Sequence, residues 1–115
     1  MERKGNPHKA TYRVRLEEVL RTYAAEFLAR EAGVQSLITV TRAVLSDDKS
    51  RATIYMTVLP EEKEVPALGF ATRQISDFKA YLKTKVRMHR IPHIDFEIDK
   101  GEKNRQRLDE LSSDL

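Results

Sequence analysis

The chain has 115 residues, 40% of them hydrophobic and 34% charged, enough for one folded domain with a heavily solvated surface and too few for a multidomain enzyme. It contains no cysteine, which excludes disulfides and thiolate metal sites and suits a reducing compartment, so a cytoplasmic location is expected. The 21 Lys and Arg against 18 Asp and Glu leave a net charge of +3, so the placement of charge says more about partners than its sum.

Residues 1–10, MERKGNPHKA, hold Arg3, Lys4 and Lys9 with no apolar pattern and read as a flexible basic arm. They lack the apolar run of a secretory signal, and no later segment is apolar enough to span a bilayer, so no membrane partner is expected. The folded domain is predicted over residues 11–98. Leu16, Val19, Leu20, Tyr23, Phe27 and Leu28 recur at three- and four-residue intervals, which predicts a first helix with one buried face and Gly33 placed for its C-terminal cap. LITVTRAVL at 37–45 is rich in β-branched residues. RATIYMTVL at 51–59 alternates Ala52, Ile54, Met56 and Val58 with Thr53, Tyr55 and Thr57. The polar run Ser46-Asp47-Asp48-Lys49-Ser50 between them suits an antiparallel hairpin. After Pro60, the positions Leu68, Ala71, Ile75, Phe78, Leu82 and Val86 keep a helical period, predicting a second helical region that runs on until Pro92 ends it. Ile94, Phe96 and Ile98 then alternate with His93, Asp95 and Glu97 as a third strand. Residues 99–115 are highly charged with Leu108 and Leu111 as a weak apolar pair, which fits either a charged tail or a short helix.

The resulting order is α-β-β-α-β, an α+β domain whose helices cover one face of a three-stranded sheet and leave Thr53, Tyr55, Thr57, Asp95 and Glu97 toward water. That open face is a poor RNA platform, because base stacking on a sheet uses two or three aromatics, whereas here Tyr55 stands alone beside two acids. The cations lie elsewhere. Arg73, Lys79, Lys83, Lys85, Arg87 and Arg90 face a single acid, Asp77, over the same stretch, and His89 sits among them. These seven residues are the candidate RNA-binding set. Arg87 and Arg90 offer planar, multi-donor contacts to phosphate, and His89 is the weaker cation, its charge depending on the anion beside it. His89 and His93 are four apart but separated by the helix-breaking Pro92, so no metal site is expected. The acid pairs Asp47-Asp48 and Glu61-Glu62 have no accompanying nucleophile, base or phosphate-cradling glycine loop. The chain is therefore expected not to be an enzyme and to need no cofactor.

An α-β-β-α-β order without any Gly-x-x-Gly resembles the KH-like fold, type II topology, lacking its usual phosphate-clamping loop. The likeness narrows at four places: Arg15-Leu16 with Leu20-Arg21; VTRAVLSDDKSRATIYMTVL; Val86-Arg87-Met88-His89 leading to Pro92-His93-Ile94-Asp95-Phe96; and Arg107-Leu108-Asp109-Glu110-Leu111. Across roughly residues 15–111 the chain resembles the bacterial ribosome-binding factor A family. It departs from that family where an Ala-x-Gly helix kink is usual, since Gln74 and Ser76 occupy the corresponding positions. The resemblance implies a monomeric assembly factor that binds the immature small ribosomal subunit and its precursor 16S ribosomal RNA. It also implies a role in late maturation and 5′ end processing, with release aided by a maturation GTPase or by completion of the subunit. The residues alone leave two alternatives open. One is a KH-like module for single-stranded RNA unrelated to ribosome assembly; the other is a small α+β protein-interaction module pairing through a strand edge.

Overall fold

The computed structural model describes residues 7–31 and 37–113, with side chains described for 12–31 and 37–111. Arg3, Lys4 and Gly33 lie outside the described residues, as does the side chain of Lys9. The elements are α1 (Pro7–Glu31), β1 (Leu37–Leu45), β2 (Arg51–Leu59), a 3-10 turn at Glu61–Lys63, α2 (Glu64–Arg73), α3 (Ile75–Lys85), β3 (His93–Ile98) and α4 (Lys100–Ser113). Helix α1 includes residues 7–10, which the expected arm also covered; residues 1–6 lie outside the described residues. Proline is favoured in a first helical turn, where its missing N–H would have no intrahelical acceptor. The charged C-terminal stretch is helical from Lys100 to Ser113.

The sheet order is β1-β2-β3, with β1 and β2 antiparallel and β2 and β3 parallel. A parallel return needs a crossover, which α2 and α3 supply. One face of β2 and β3 buries Ala52, Ile54, Met56, Val58, Ile94 and Phe96 against Leu20, Ala24, Phe27 and Leu28 of α1 and Ala71, Phe78 and Leu82 of α2 and α3. Phe78 is the centre of this core: its ring lies 5.4 Å from that of Phe27 and 6.1 Å from that of Phe96. The hairpin turn is held by Asp48, whose Oδ1 accepts hydrogen bonds from Ser46 Oγ, Ser50 N and Ser50 Oγ at 2.7–3.0 Å.

A bulge in β1 changes the alternation. Val40 pairs with Met56 and Arg42 with Tyr55, leaving Thr41 as the extra residue, so that Val40 and then Ala43 and Leu45 point into the core. Freed from the ladder, Thr41 donates from Oγ1 to Asp99 Oδ2 at 2.6 Å, and Arg42 Nε donates to the same oxygen at 3.2 Å. The other oxygen of Asp99 accepts the backbone N–H of Glu102 at 3.0 Å, capping α4. Lys103 extends the attachment through ion pairs to Glu61 and Glu64 at 3.2 and 2.9 Å. The face expected to lie wholly toward water is thus partly closed: Thr57 is buried beside the groove that Lys103 and Arg107 of α4 share with β2.

Burial pushes the Asp99 carboxyl up, but hydrogen bonds from Thr41, the Glu102 N–H and Arg42 outweigh it and hold the group below the usual carboxylate range. A lowered folded value means that Asp99 stabilises the fold above the unfolded carboxylate value, and that this stability is lost as pH falls through the folded one. Asp99→Ala is expected to cost about 1–3 kcal/mol by orphaning these donors. Urea melts at neutral pH would measure that loss, and hydrogen exchange would show faster exchange across 100–113. A variant whose melt and α4 exchange match the wild type would refute this role for the cap.

Candidate nucleic-acid interface

The candidate cations are carried by three different backbone segments. The chain leaves the helix at Gln74, with φ −90° and ψ 0°, and resumes it at Ile75. Gln74 N still donates to Phe70 O and Ala71 O, and Gln74 O accepts from Phe78 N at 2.8 Å. The break therefore loses little hydrogen bonding, and it forms without a glycine. Gly69 lies about one turn earlier, beneath Arg73. The Arg73 side chain lies back along α2 over it, so that a Cβ there would meet Arg73 Nη1 at 3.4 Å, an ordinary contact that a flexible guanidinium could accommodate.

Helix α3 ends at Lys85, well before Pro92. Val86 is extended at φ −134° and ψ 151°, which corrects the expectation of helix up to the proline. The reason is burial: Val86 and Met88 pack on the core while Arg87 and His89 alternate outward, a period of two that a helix would not satisfy. Arg87, His89 and Arg90 are thus carried by an extended ribbon.

On α3 itself, Lys79 and Lys83 are one turn apart, whereas Lys85 is about 200° around the helix from Lys83. Lys85 lies instead on the α1 side, its Nζ 5.4 Å from the centre of the Tyr81 ring, which also carries Arg30 of α1 at 4.9 Å. Burial raises the pKa of the Tyr81 phenol and a hydrogen bond to Glu26 adds to it, keeping the hydroxyl a donor. The predicted cations therefore do not form one stripe. Lys83, Arg87 and His89 line an open concavity of about 450 Å³ with Val86, Met88 and Ile91. Arg90 faces a second groove across the ribbon. Lys85 joins Arg30 around Tyr81, and Arg73 stands apart on α2.

The ion pairs among the described residues engage none of Arg73, Lys79, Lys83, Lys85, Arg87 and Arg90. All but Lys79 are exposed. Exposed cations without carboxylate partners suit a polyanion, because no internal ion pair has to be broken to bind it. The open sheet face is different: the Tyr55 ring is covered by the Arg42 guanidinium at 4.1 Å. Sequence reasoning missed Arg30, which only the packing of α1 brings to Tyr81. It missed Tyr81 as well, for which an aromatic between lysines in KAYLK is the signal that could have found it. Among the described residues no three His, Asp or Glu side chains are placed to hold a metal ion, and no helix is long and apolar enough to cross a membrane.

The family described as ribosome-binding factor A matches residues 12–112. A curated ribosome-binding factor A from Fervidobacterium nodosum is 32% identical over 79 residues, which make up 68% of this chain and 63% of the relative, so the matched region spans less than two thirds of that protein's length. The crystal structure of ribosome-binding factor A from Thermus thermophilus superimposes with a TM-score of 0.66 at 30% identity, covering 75% of this chain and 94% of that one. A Thermus thermophilus homology model fitted into a cryo-electron microscopy map of a 30S complex gives 0.64 at 30% identity, covering 75% and 93%. The KH-like fold is common to this chain and these structures.

Proposed function

Because the chain belongs to the ribosome-binding factor A family, we propose that it is an assembly factor for the small ribosomal subunit, binding immature particles and their precursor 16S ribosomal RNA. The observation that carries this reading is the set of exposed cations Lys83, Lys85, Arg87 and Arg90 on α3 and the ribbon after it, none of them in an ion pair among the described residues. Lys83, Arg87 and His89 around the concavity, with Lys79, Arg90, Lys85 and Arg73 on the surfaces flanking it, hold phosphates; such contacts position a protein more than they read sequence. The chemistry is binding alone, without a cofactor. A protein that prefers one conformer of the ribosomal RNA shifts the population toward it by no more than its difference in affinity. Late maturation and 5′ end processing then follow from the RNA arrangement it favours. The protein acts as a monomer in the cytoplasm, and completion of the subunit or a maturation GTPase releases it.

Co-sedimentation with purified small and large subunits at two salt concentrations tests this. With about five phosphate contacts, affinity should fall on the order of a hundredfold between low and moderate salt. Salt-sensitive pelleting with small subunits alone is the expected result. Equal binding to both subunits would mean a general RNA binder, and binding to neither at low salt would mean a protein-interaction module.

A further inference from the structure

We propose that the groove between the start of α1, the β1–β2 turn and the ribbon at 88–92 takes one unstacked nucleotide of RNA, with its base on Tyr12 and its phosphate between Lys49 and Arg90. This rests on the RNA-binding reading above and adds a site on the far side of the ribbon.

The groove encloses about 230 Å³, with Leu16, Met88 and Pro92 among its apolar walls. That is smaller than the roughly 300–1,000 Å³ of sites for drug-sized ligands, which suits one planar group. Tyr12 is 55% exposed. In the free protein its ring is approached by Lys49 Nζ at 5.9 Å, the outer limit of a cation–π contact, so a base can readily take the ammonium's place. The displaced lysine, on its flexible stem, stays within reach of that nucleotide's phosphate. Lys49 is held at this position by an unusual backbone, φ +61°, the one non-glycine residue in the left-handed region among those described.

Two of the three sides, α1 and the turn, are joined before any ligand arrives. Arg13 of α1 donates to the carbonyls of Leu45, Ser46 and Asp47 at 3.0–3.1 Å, and Glu17 accepts from Leu45 N at 2.9 Å. These bonds tie α1 to the turn, so little ordering is left to oppose binding. Asp48 is the acid on the wall. Its three hydrogen bonds within the turn hold its pKa at about 2, so it remains charged and makes the groove a poor site for phosphate alone. Met88 and His89 line this groove and the concavity with Lys83 and Arg87. One strand of RNA can therefore run along the α3 cations and place its next base over the ribbon.

The chain has four tyrosines and no tryptophan, so tyrosine emission reports stacking directly. A short oligoadenylate RNA should quench that emission in the wild type, and Tyr12→Phe should lose most of the quench while keeping its affinity. Tyr12→Leu and Lys49→Gln should each weaken binding, the former about tenfold, as loss of one base–aromatic stack does. Inorganic phosphate should give no quench. Wild-type affinity in Tyr12→Leu, a full quench in Tyr12→Phe, or quenching by phosphate alone would each overturn the proposal. The two readings fail separately. Oligoadenylate quenching without small-subunit binding would sink the ribosomal reading and leave the groove; small-subunit binding with Tyr12→Leu unchanged would sink the groove alone.

Discussion

Replacing Lys83, Arg87 and Arg90 together by glutamate is expected to abolish co-sedimentation with small ribosomal subunits while leaving the fold intact. All three side chains are exposed and make no ion pair among the described residues, so no internal partner is orphaned by the change. Each phosphate contact contributes about 0.7–0.9 to the slope of log affinity against log salt, so neutralising three would reduce it by roughly two to three. Reversal adds repulsion, and the combined loss should exceed about a hundredfold at low salt. Binding titrations at several salt concentrations, with matched circular dichroism melts, give the answer. An unchanged slope would remove the α3 ribbon from the interface.

The largest effect on stability is expected at Phe78, which is fully buried between the rings of Phe27 and Phe96. Phe78→Ala should cost about 3–5 kcal/mol, the lost transfer energy plus the cavity left beneath α3. Total stability for a domain of this kind is about 5–15 kcal/mol, so the melting temperature should fall on the order of 10–20 °C. Phe78 also holds the helix that carries Lys79 and Lys83, so subunit affinity should weaken with it, although Phe78 itself is fully buried and cannot touch RNA. Urea denaturation measures the loss, and a midpoint change worth less than about 1 kcal/mol would show that the core closes over the gap.

The elements were largely legible because their apolar periods are strong. Leu20, Phe27 and Leu28 on α1, and Ile54 and Met56 on β2, are buried as their spacing predicts. The seven candidate RNA-binding positions were visible as a composition bias, but not their arrangement. Helical spacing from Phe78 to Leu82 appears to continue at Val86, because a buried residue every fourth position and one at the start of an extended ribbon look alike over so short a run. The break at Gln74 was equally ambiguous. Glycine is the usual mark of such a break, yet Gln74 adopts φ −90° and ψ 0° while its neighbours keep their hydrogen bonds. Tyr12 and Lys49 are 37 positions apart in the sequence and had no local signal at all.

By itself the sequence determined the α-β-β-α-β order, the core faces of α1, β2 and β3, and the sorting of cations into the stretch from Arg73 to Arg90. These follow from periods of two and 3.6 residues and from local turn chemistry, which neighbouring residues specify. Tertiary structure decided the bulge at Thr41, the ending of α3 at Lys85, the folding of Arg73 onto Gly69 and the closing of Thr57 under α4. The bulge, the end of α3 and the burial of Thr57 each depend on a partner distant in the chain or on competition for core space, and the Arg73 side chain's direction on a rotamer that composition does not show. Asp99 meets Thr41 across 58 positions, and Val86 leaves the helix to bury its side chain. Periodicity assigns a residue to a face, but only packing determines what that face meets.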